Sequence, residues 1–203
     1  MLIPIFVQLL YNETNSTFLS SASITVFIGI LLILSNLEEN KKLNLQQAFL
    51  LTTLSWLSIA VFGSLPFILS DLNLSFVDSL FESMSGITTT GSTIITNLDN
   101  APKGILIWRA SLQWLGGIGI IVMAITVLPL LNIGGMQLFR IEGSDTTEKI
   151  LPKTREVTLI ISIIYLTLTF ACGIAYWVFG MSIFDSIAHS MTTIATGGFS
   201  TYS

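Results

Sequence analysis

Long uncharged, apolar windows alternate with short polar stretches along this chain of 203 residues. There are 24 residues between Glu13 and Glu38, 28 between Lys42 and Asp71, 30 between Arg109 and Arg140, and 28 between Glu156 and Asp185, none of them charged. Each window exceeds the roughly 20 apolar residues that a membrane-spanning helix needs. The pattern predicts spans over about 18–37, 45–69, 105–131 and 157–179, with Pro66 close to the end of the second, where a proline stops a helix at small cost. Residues 1–11 are apolar but too few to span, and read as the end of a longer helix or as an interfacial piece.

One stretch fits neither a span nor a loop. Sixteen uncharged residues lie between Glu82 and Asp99, too few to cross a bilayer as a helix, and they contain Thr88-Thr89-Thr90-Gly91-Ser92-Thr93. A short helix over about 76–87 reaches about 18 Å at 1.5 Å per residue, enough to enter a membrane halfway. The threonine-glycine run then climbs back out. Irregular backbone survives at that depth only when buried in protein or lining a watery cavity, and successive carbonyls there can replace an ion's hydration shell. Glycine admits the backbone angles this requires. The plainer alternative is an amphipathic helix with a Ser/Thr-rich exit turn.

A second copy favours the first reading. Shifting residues 77–92 by 107 onto 184–199 pairs Asp78 with Asp185, Ser79 with Ser186, Ser83 with Ser190, Met84 with Met191, Ile87 with Ile194, Thr89 with Thr196 and Gly91 with Gly198. Seven identities in sixteen positions far exceed the one or so expected from average residue frequencies. Internal repeats in membrane transporters commonly meet around the substrate path.

Composition agrees with the pattern: 52% hydrophobic and 10% charged residues, with a mean hydropathy of +0.80, place the chain in the membrane class. Residues 1–10 lack a basic n-region and a small-residue cleavage site, which argues against a signal peptide. The net charge of −4 says little about a partner, since charges in the loops of a membrane protein set topology, but the absence of a basic patch argues against nucleic acid. Cys172 is the only cysteine, so no intramolecular disulfide or zinc cluster is expected, and it reads as a small buried hydrophobe. Two triplets, Asn12-Glu13-Thr14 and Asn15-Ser16-Thr17, match the glycosylation acceptor pattern but read as a plain loop. The loop at 38–46 carries two basic residues, Lys41 and Lys42. The stretch 132–155 carries Arg140, Lys149, Lys153 and Arg155, and 12–17 carries none. The positive-inside rule puts the first two in the cytoplasm and opens both Thr-Gly loops to the outside, with Lys103 and Arg109 as exceptions.

Several residues attract a sharper reading. Asp78 and Asp185 begin the two half-helices and read as partners of the N-terminal cap and dipole, or as attractors of cations at a mouth. Arg109 opens the third span and is expected to snorkel to the interface. Gly116-Gly117-Ile118-Gly119 follows no strand, so close helix packing is a better reading than a nucleotide fingerprint. A membrane-embedded enzyme is the rival class, since Asp185 and His189 stand i and i+4 on a helix beside Ser186 and Ser190. Nothing there marks a nucleophile or an oxyanion site, and the copy at Asp78 has Glu82 where His189 stands. With no second His or Cys at ligand spacing, His189 reads as a packed, hydrogen-bonded side chain.

Phe81-Glu82-Ser83-Met84-Ser85-Gly86-Ile87-Thr88-Thr89-Thr90-Gly91-Ser92-Thr93, Gln113-Trp114-Leu115-Gly116-Gly117-Ile118-Gly119-Ile120, Gly134-Gly135-Met136-Gln137-Leu138 and Thr193-Ile194-Ala195-Thr196-Gly197-Gly198-Phe199-Ser200-Thr201 together resemble the TrkH-type potassium uptake subunit of bacteria, within the Trk/Ktr/HKT superfamily. The resemblance implies an all-α integral membrane fold of four pore modules, each a span, half-helix, filter loop and span, around a pore of approximate fourfold symmetry. It assigns 1–46 to N-terminal helices and a charged cytoplasmic loop, 47–131 to a first module, 132–156 to a cytoplasmic loop and 157–203 to a second module without its closing helix. It implies low-affinity, channel-like potassium uptake or symport in the bacterial inner membrane, with no enzymatic step and no organic cofactor. The transported K+ is then held by backbone carbonyls of Thr88, Thr89, Thr90 and Gly91 in the first loop and of Ala195, Thr196, Gly197 and Gly198 in the second. Expected partners are membrane lipid, a cytoplasmic nucleotide-binding regulatory subunit docking near Arg140, Lys149, Lys153 and Arg155, and a second copy in a homodimer. Two of four filter loops do not close a ring of ligands, so the alternative expectation is a non-conducting remnant of such a transporter.

Overall fold

The computed structural model describes residues 1–13, 16–35, 45–127 and 147–203, and among them every regular element is helical. The helices are α1 (Leu2–Leu10), α2 (Thr17–Ser35), α3 (Leu45–Ile68), α4 (Phe76–Ile87), α5 (Lys103–Val127), α6 (Thr147–Val178) and α7 (Ile183–Ile194), with a 3-10 turn over Leu98–Asn100 before α5. Among the described residues, four helices are long and apolar enough to cross a membrane, over Thr17–Ser35, Phe49–Ile68, Lys103–Met123 and Glu156–Val178. The apolar windows therefore anticipate each of these four.

The fold is organised around α5. Its apolar window is 56% buried within the protein, against 6–28% for the other three, because it packs on α1, α4, α6 and α7 together. Ile105, Leu106, Ile107, Ala110 and Leu112 all turn into one core with Phe18, Phe67, Phe184 and Met191. The outer helices expose Leu31, Leu32, Ile33 and Leu34 on α2 and Ile160, Ile163 and Ile164 on α6, a surface that only lipid or further protein covers at low cost. Each short helix lies beside the long helix before it, α4 on α3 and α7 on α6. The link is the same in both copies: Asn73 and Gly180, 107 apart, each turn the chain with positive φ, 52° and 101°.

One boundary differs from expectation. The stretch 147–156, expected as loop, is the first part of α6. Hydrophobicity decides where a helix sits in a bilayer, whereas its hydrogen-bond ladder extends through the helix-favouring Glu and Lys residues that precede the apolar window. Residues 1–11 contain a nine-residue helix that packs along α5. The loop with Lys41 and Lys42, Thr14 and Asn15 of the acceptor triplets, Arg140, and Gly134-Gly135-Met136-Gln137-Leu138 lie outside the described residues.

Candidate functional site: two matching loops at the ends of short helices

The short helices start alike. Ser75 and Ser182 are their N-caps, each accepting from the backbone N–H three residues on, at Asp78 and Asp185. Each serine hydroxyl in turn donates to that aspartate's carboxylate, at 2.7 Å and 2.6 Å. The aspartates thus sit at the positive helix end as expected, but the cap itself is the serine before them.

They also end alike. Thr90 N–H donates to Ser85 O at 3.0 Å and Thr89 N–H to Gly86 O at 3.0 Å; Gly197 N–H donates to Thr192 O at 2.9 Å and Thr196 N–H to Thr193 O at 3.0 Å. This is the Schellman pattern, whose left-handed residue is ordinarily glycine. Here it is threonine twice, with φ of 57° at Thr89 and 54° at Thr196. A β-branched residue in that region is strained by roughly 1–3 kcal/mol. Two residues on, Gly91 and Gly198 repeat the positive φ at 80° and 79°. The backbone therefore alternates in hand over 89–91 and 196–198, in register with the 107-residue repeat.

The loops touch each other. A Cβ on Gly91 would lie 1.9 Å from Gly197 O, so only glycine permits this approach. Gln113 of α5, fully buried, grips the second loop with both ends of its amide. Nε2 donates to Gly197 O at 2.9 Å and Oε1 accepts from Phe199 N–H at 3.1 Å. The Gly197 carbonyl, expected to face an ion, is thus engaged by Gln113 and lies against Gly91. The other expected residues stand at the loop surface to different degrees: Thr88, Thr90, Thr196 and Gly198 are exposed, Thr89 and Gly91 half-buried, and Ala195 buried.

Arg109 corrects the sequence reading most sharply. Rather than snorkelling, it is 1% exposed and pairs with the fully buried Glu82 at 2.7 Å. Its Nη1 donates to Ser200 O at 2.9 Å, and its guanidinium lies 4.1 Å from the centre of the Phe199 ring. Glu82 also accepts from Thr93 Oγ1 at 2.9 Å and from Ile94 N–H at 3.1 Å. One buried ion pair thereby holds the exit strands of both loops. The sequence placed Glu82 one turn into the half-helix, but no pattern names a partner 27 residues away.

At the matching position, His189 Nε2 lies 3.1 Å from Thr201 Oγ1. Thr201 Oγ1 donates to Asp185 Oδ1 at 2.8 Å and Tyr202 Oη to Oδ2 at 2.7 Å. Asp185 and His189 thus meet through Thr201, in an arrangement that holds the loop exit. Burial raises the Asp185 carboxyl, but donation from Ser182, Tyr202 and Thr201 and the charge of Lys103 outweigh it and hold the group below the usual carboxylate range. The bond to Asp185 in turn pushes the Tyr202 phenol up.

Small residues let α5 reach both helix ends. A Cβ on Gly116 would lie 2.0 Å from Ile87 O, and one on Gly117 3.1 Å from Ala195 Cα. The glycine run is a packing surface, as its sequence setting indicated. The start of α5 is held from afar, since Glu13 accepts from the backbone N–H of Lys103 and of Gly104, satisfying two amides that a helix N-terminus leaves free. A cavity of about 390 Å³ lies between the loops, lined among others by Gly91, Thr93, Arg109, Gly198, Ser200 and Tyr202.

Fold and site together define a multi-pass, all-helical membrane protein in which two short helices end in matching loops beside a central helix. The family model described as "TrkH: Cation transport protein" matches residues 14–203. The chain belongs to the TrkH family. It is 44% identical over its whole length to the Trk system potassium uptake protein TrkH of Vibrio parahaemolyticus and 43% identical to TrkH of Escherichia coli K12. It is 38% identical to TrkG of the same E. coli strain. It spans 42% of the Vibrio protein's length and 43% of each E. coli protein's. The crystal structure of the potassium transporter TrkH from V. parahaemolyticus superposes with a TM-score of 0.86 at 41% identity, over 99% of this chain and 40% of that one.

Proposed function

We propose that this chain supplies two ion-selecting filter loops to a potassium uptake transporter of the inner membrane. The observation that carries this is the alternation of backbone hand at Thr89 and Gly91 and again at Thr196 and Gly198, at the ends of two helices with the same hydrogen-bonded terminus. Strain repeated at matching positions of a repeat is strain retained for a purpose. The relatives' names give the cargo.

In this reading residues 47–131 form one pore module and 157–203 the beginning of a second. K+ sheds water into carbonyls of Thr88, Thr89, Thr90 and Gly91 and of Ala195, Thr196 and Gly198, and we place the Gly197 carbonyl in the wall, because Gln113 holds it. The C-terminal ends of α4 and α7 add partial negative charge toward the ion. The membrane potential drives entry by about 2.3 kcal/mol per charge per 100 mV, and no covalent step is involved. Family membership supports a nucleotide-binding cytoplasmic regulatory subunit and a homodimer as partners of the whole transporter.

The test is potassium-dependent growth of a bacterium lacking its own uptake systems. It expresses a chimera in which residues 1–203 replace the matching part of the Vibrio relative. Rescue is expected at millimolar potassium. Failure of a chimera verified in the membrane and carrying a functional remainder overturns the proposal and favours a non-conducting remnant.

A further inference from the structure

We infer that Gln113 is the positioning residue that sets the backbone of the second loop, and thereby the transporter's ion preference; this rests on the filter reading above. The peptide it holds joins Gly197 to Gly198, and a glycine on both sides makes that plane the one in either loop that turns over with least steric resistance. The first loop has threonine at the corresponding position, Thr90, and is held from its own helix by Ser85 Oγ donating to Ser92 O at 2.6 Å. In the second copy Thr192 replaces Ser85, and its hydroxyl donates instead to His189 O within the helix. The local device is therefore lost in the second copy, and α5 replaces it with Gln113.

Three observations converge on this residue. Its amide is fully buried, a placement that is costly unless donor and acceptor are both used, and both are used on the loop, straddling Gly198. A Cβ on Gly197 would fall 2.4 Å from the Gln113 amide carbon, so loop and side chain are fitted to each other. The oxygen it holds is also the one packed against Gly91. The same bond that orients the second loop thus sets its spacing from the first. Arg109, one helical turn earlier on the same face, extends the grip to Ser200 O.

The experiment uses the chimera described above in proteoliposomes, reading the ratio of K+ to Na+ uptake. Gln113→Leu removes both bonds, and the ratio is expected to fall by about fivefold or more, the factor that one net hydrogen bond represents. Gln113→Glu gives a readout that simple loss of packing does not. A neutral carboxylic acid can donate to Gly197 O and accept from Phe199 N–H, whereas the ionised form presents only acceptors to Gly197 O. The Glu variant is therefore expected to keep its potassium preference at low pH and lose it as pH rises, while the parent's ratio stays level. Tyr165→Phe, which removes a bond to Trp114 O on the same helix, is expected to leave the ratio unchanged.

Gly198→Ser is measured alongside. If it shifts the ratio while Gln113→Leu does not, or while the Glu variant's ratio is independent of pH, the role of Gln113 is overturned and the filter reading stands. If Gly198→Ser leaves the ratio at the parent's value, the filter reading falls, and the inference with it. Should Gln113→Leu fail to fold, the pH profile of Gln113→Glu decides.

Discussion

Glu82 and Arg109 meet at 2.7 Å with side chains 0% and 1% exposed, joining the first short helix to the central one and, through Ser200, to the second loop. Removing one partner leaves a buried charge uncompensated, an effect of about 3–5 kcal/mol. Glu82→Ala and Arg109→Ala are each expected to destabilise by that order in denaturant unfolding in detergent. Arg109→Lys is expected to lose stability too, since an ammonium cannot reach Glu82 and Ser200 with a planar fork. The double variant Glu82→Met/Arg109→Met is expected to be less damaged than the two single alanine losses added together. Strict additivity in that comparison would show that the pair is not coupled.

Gly91 and Gly198 hold φ near 80°, and Gly91 faces Gly197 O too closely for any side chain. In the chimera, Gly91→Ser and Gly198→Ser are expected to lower the preference for potassium over sodium while leaving some uptake. Proteoliposome flux with each cation alone checks this, and a preference equal to the parent's in either variant would overturn the filter reading.

The paired serine caps make a smaller, symmetrical prediction. Ser75→Ala and Ser182→Ala each remove a hydroxyl that accepts from the third residue of its helix, and each is expected to lower stability by about 1 kcal/mol. Thermal unfolding of the two variants side by side tests it; a neutral result at both would mean that water replaces the hydroxyl fully.

Asp185 sets an acid limit. Its carboxyl is held below the usual carboxylate range by Ser182, Tyr202, Thr201 and Lys103 against the opposing effect of burial. The folded state therefore binds its proton more weakly than the unfolded chain. Its contribution is fully present above the unfolded value near 3.9 and is lost as pH falls through the lower folded value. Melting temperature is expected to drop below about pH 4, and Asp185→Asn is expected to flatten that drop while lowering stability at neutral pH. An unchanged acid slope in the variant would assign the sensitivity to other carboxylates.

Glycine-to-alanine changes separate packing from flexibility. On Gly116 a Cβ would lie 2.0 Å from Ile87 O, while around Gly29 there is nothing within 4 Å. Gly116→Ala is expected to cost roughly 1–3 kcal/mol by forcing α5 off the end of α4. Gly29→Ala is expected to be neutral or slightly stabilising, as alanine favours helix. Equal effects at the two positions would argue against a tight α4–α5 contact.

The sequence by itself determined the spans, the two short helices and their equivalence. Charge-free windows, helix length against bilayer thickness and a repeat of 107 are properties of consecutive residues, and α4 falls at Phe76–Ile87 where the reading put it. It also marked Gly91 and Gly198, because glycine in a threonine-rich turn signals unusual backbone angles. Tertiary structure alone decided what the polar residues of α5 do. Arg109 looked like an interfacial cation and Gln113 was one letter of a motif, yet each is buried against a loop 84 to 91 residues away in sequence. The same holds for Glu13, which meets the start of α5 across 90 residues. A charge or amide is stable out of water only beside its partner, and which partner arrives there is a property of how helices pack, not of spacing along one chain.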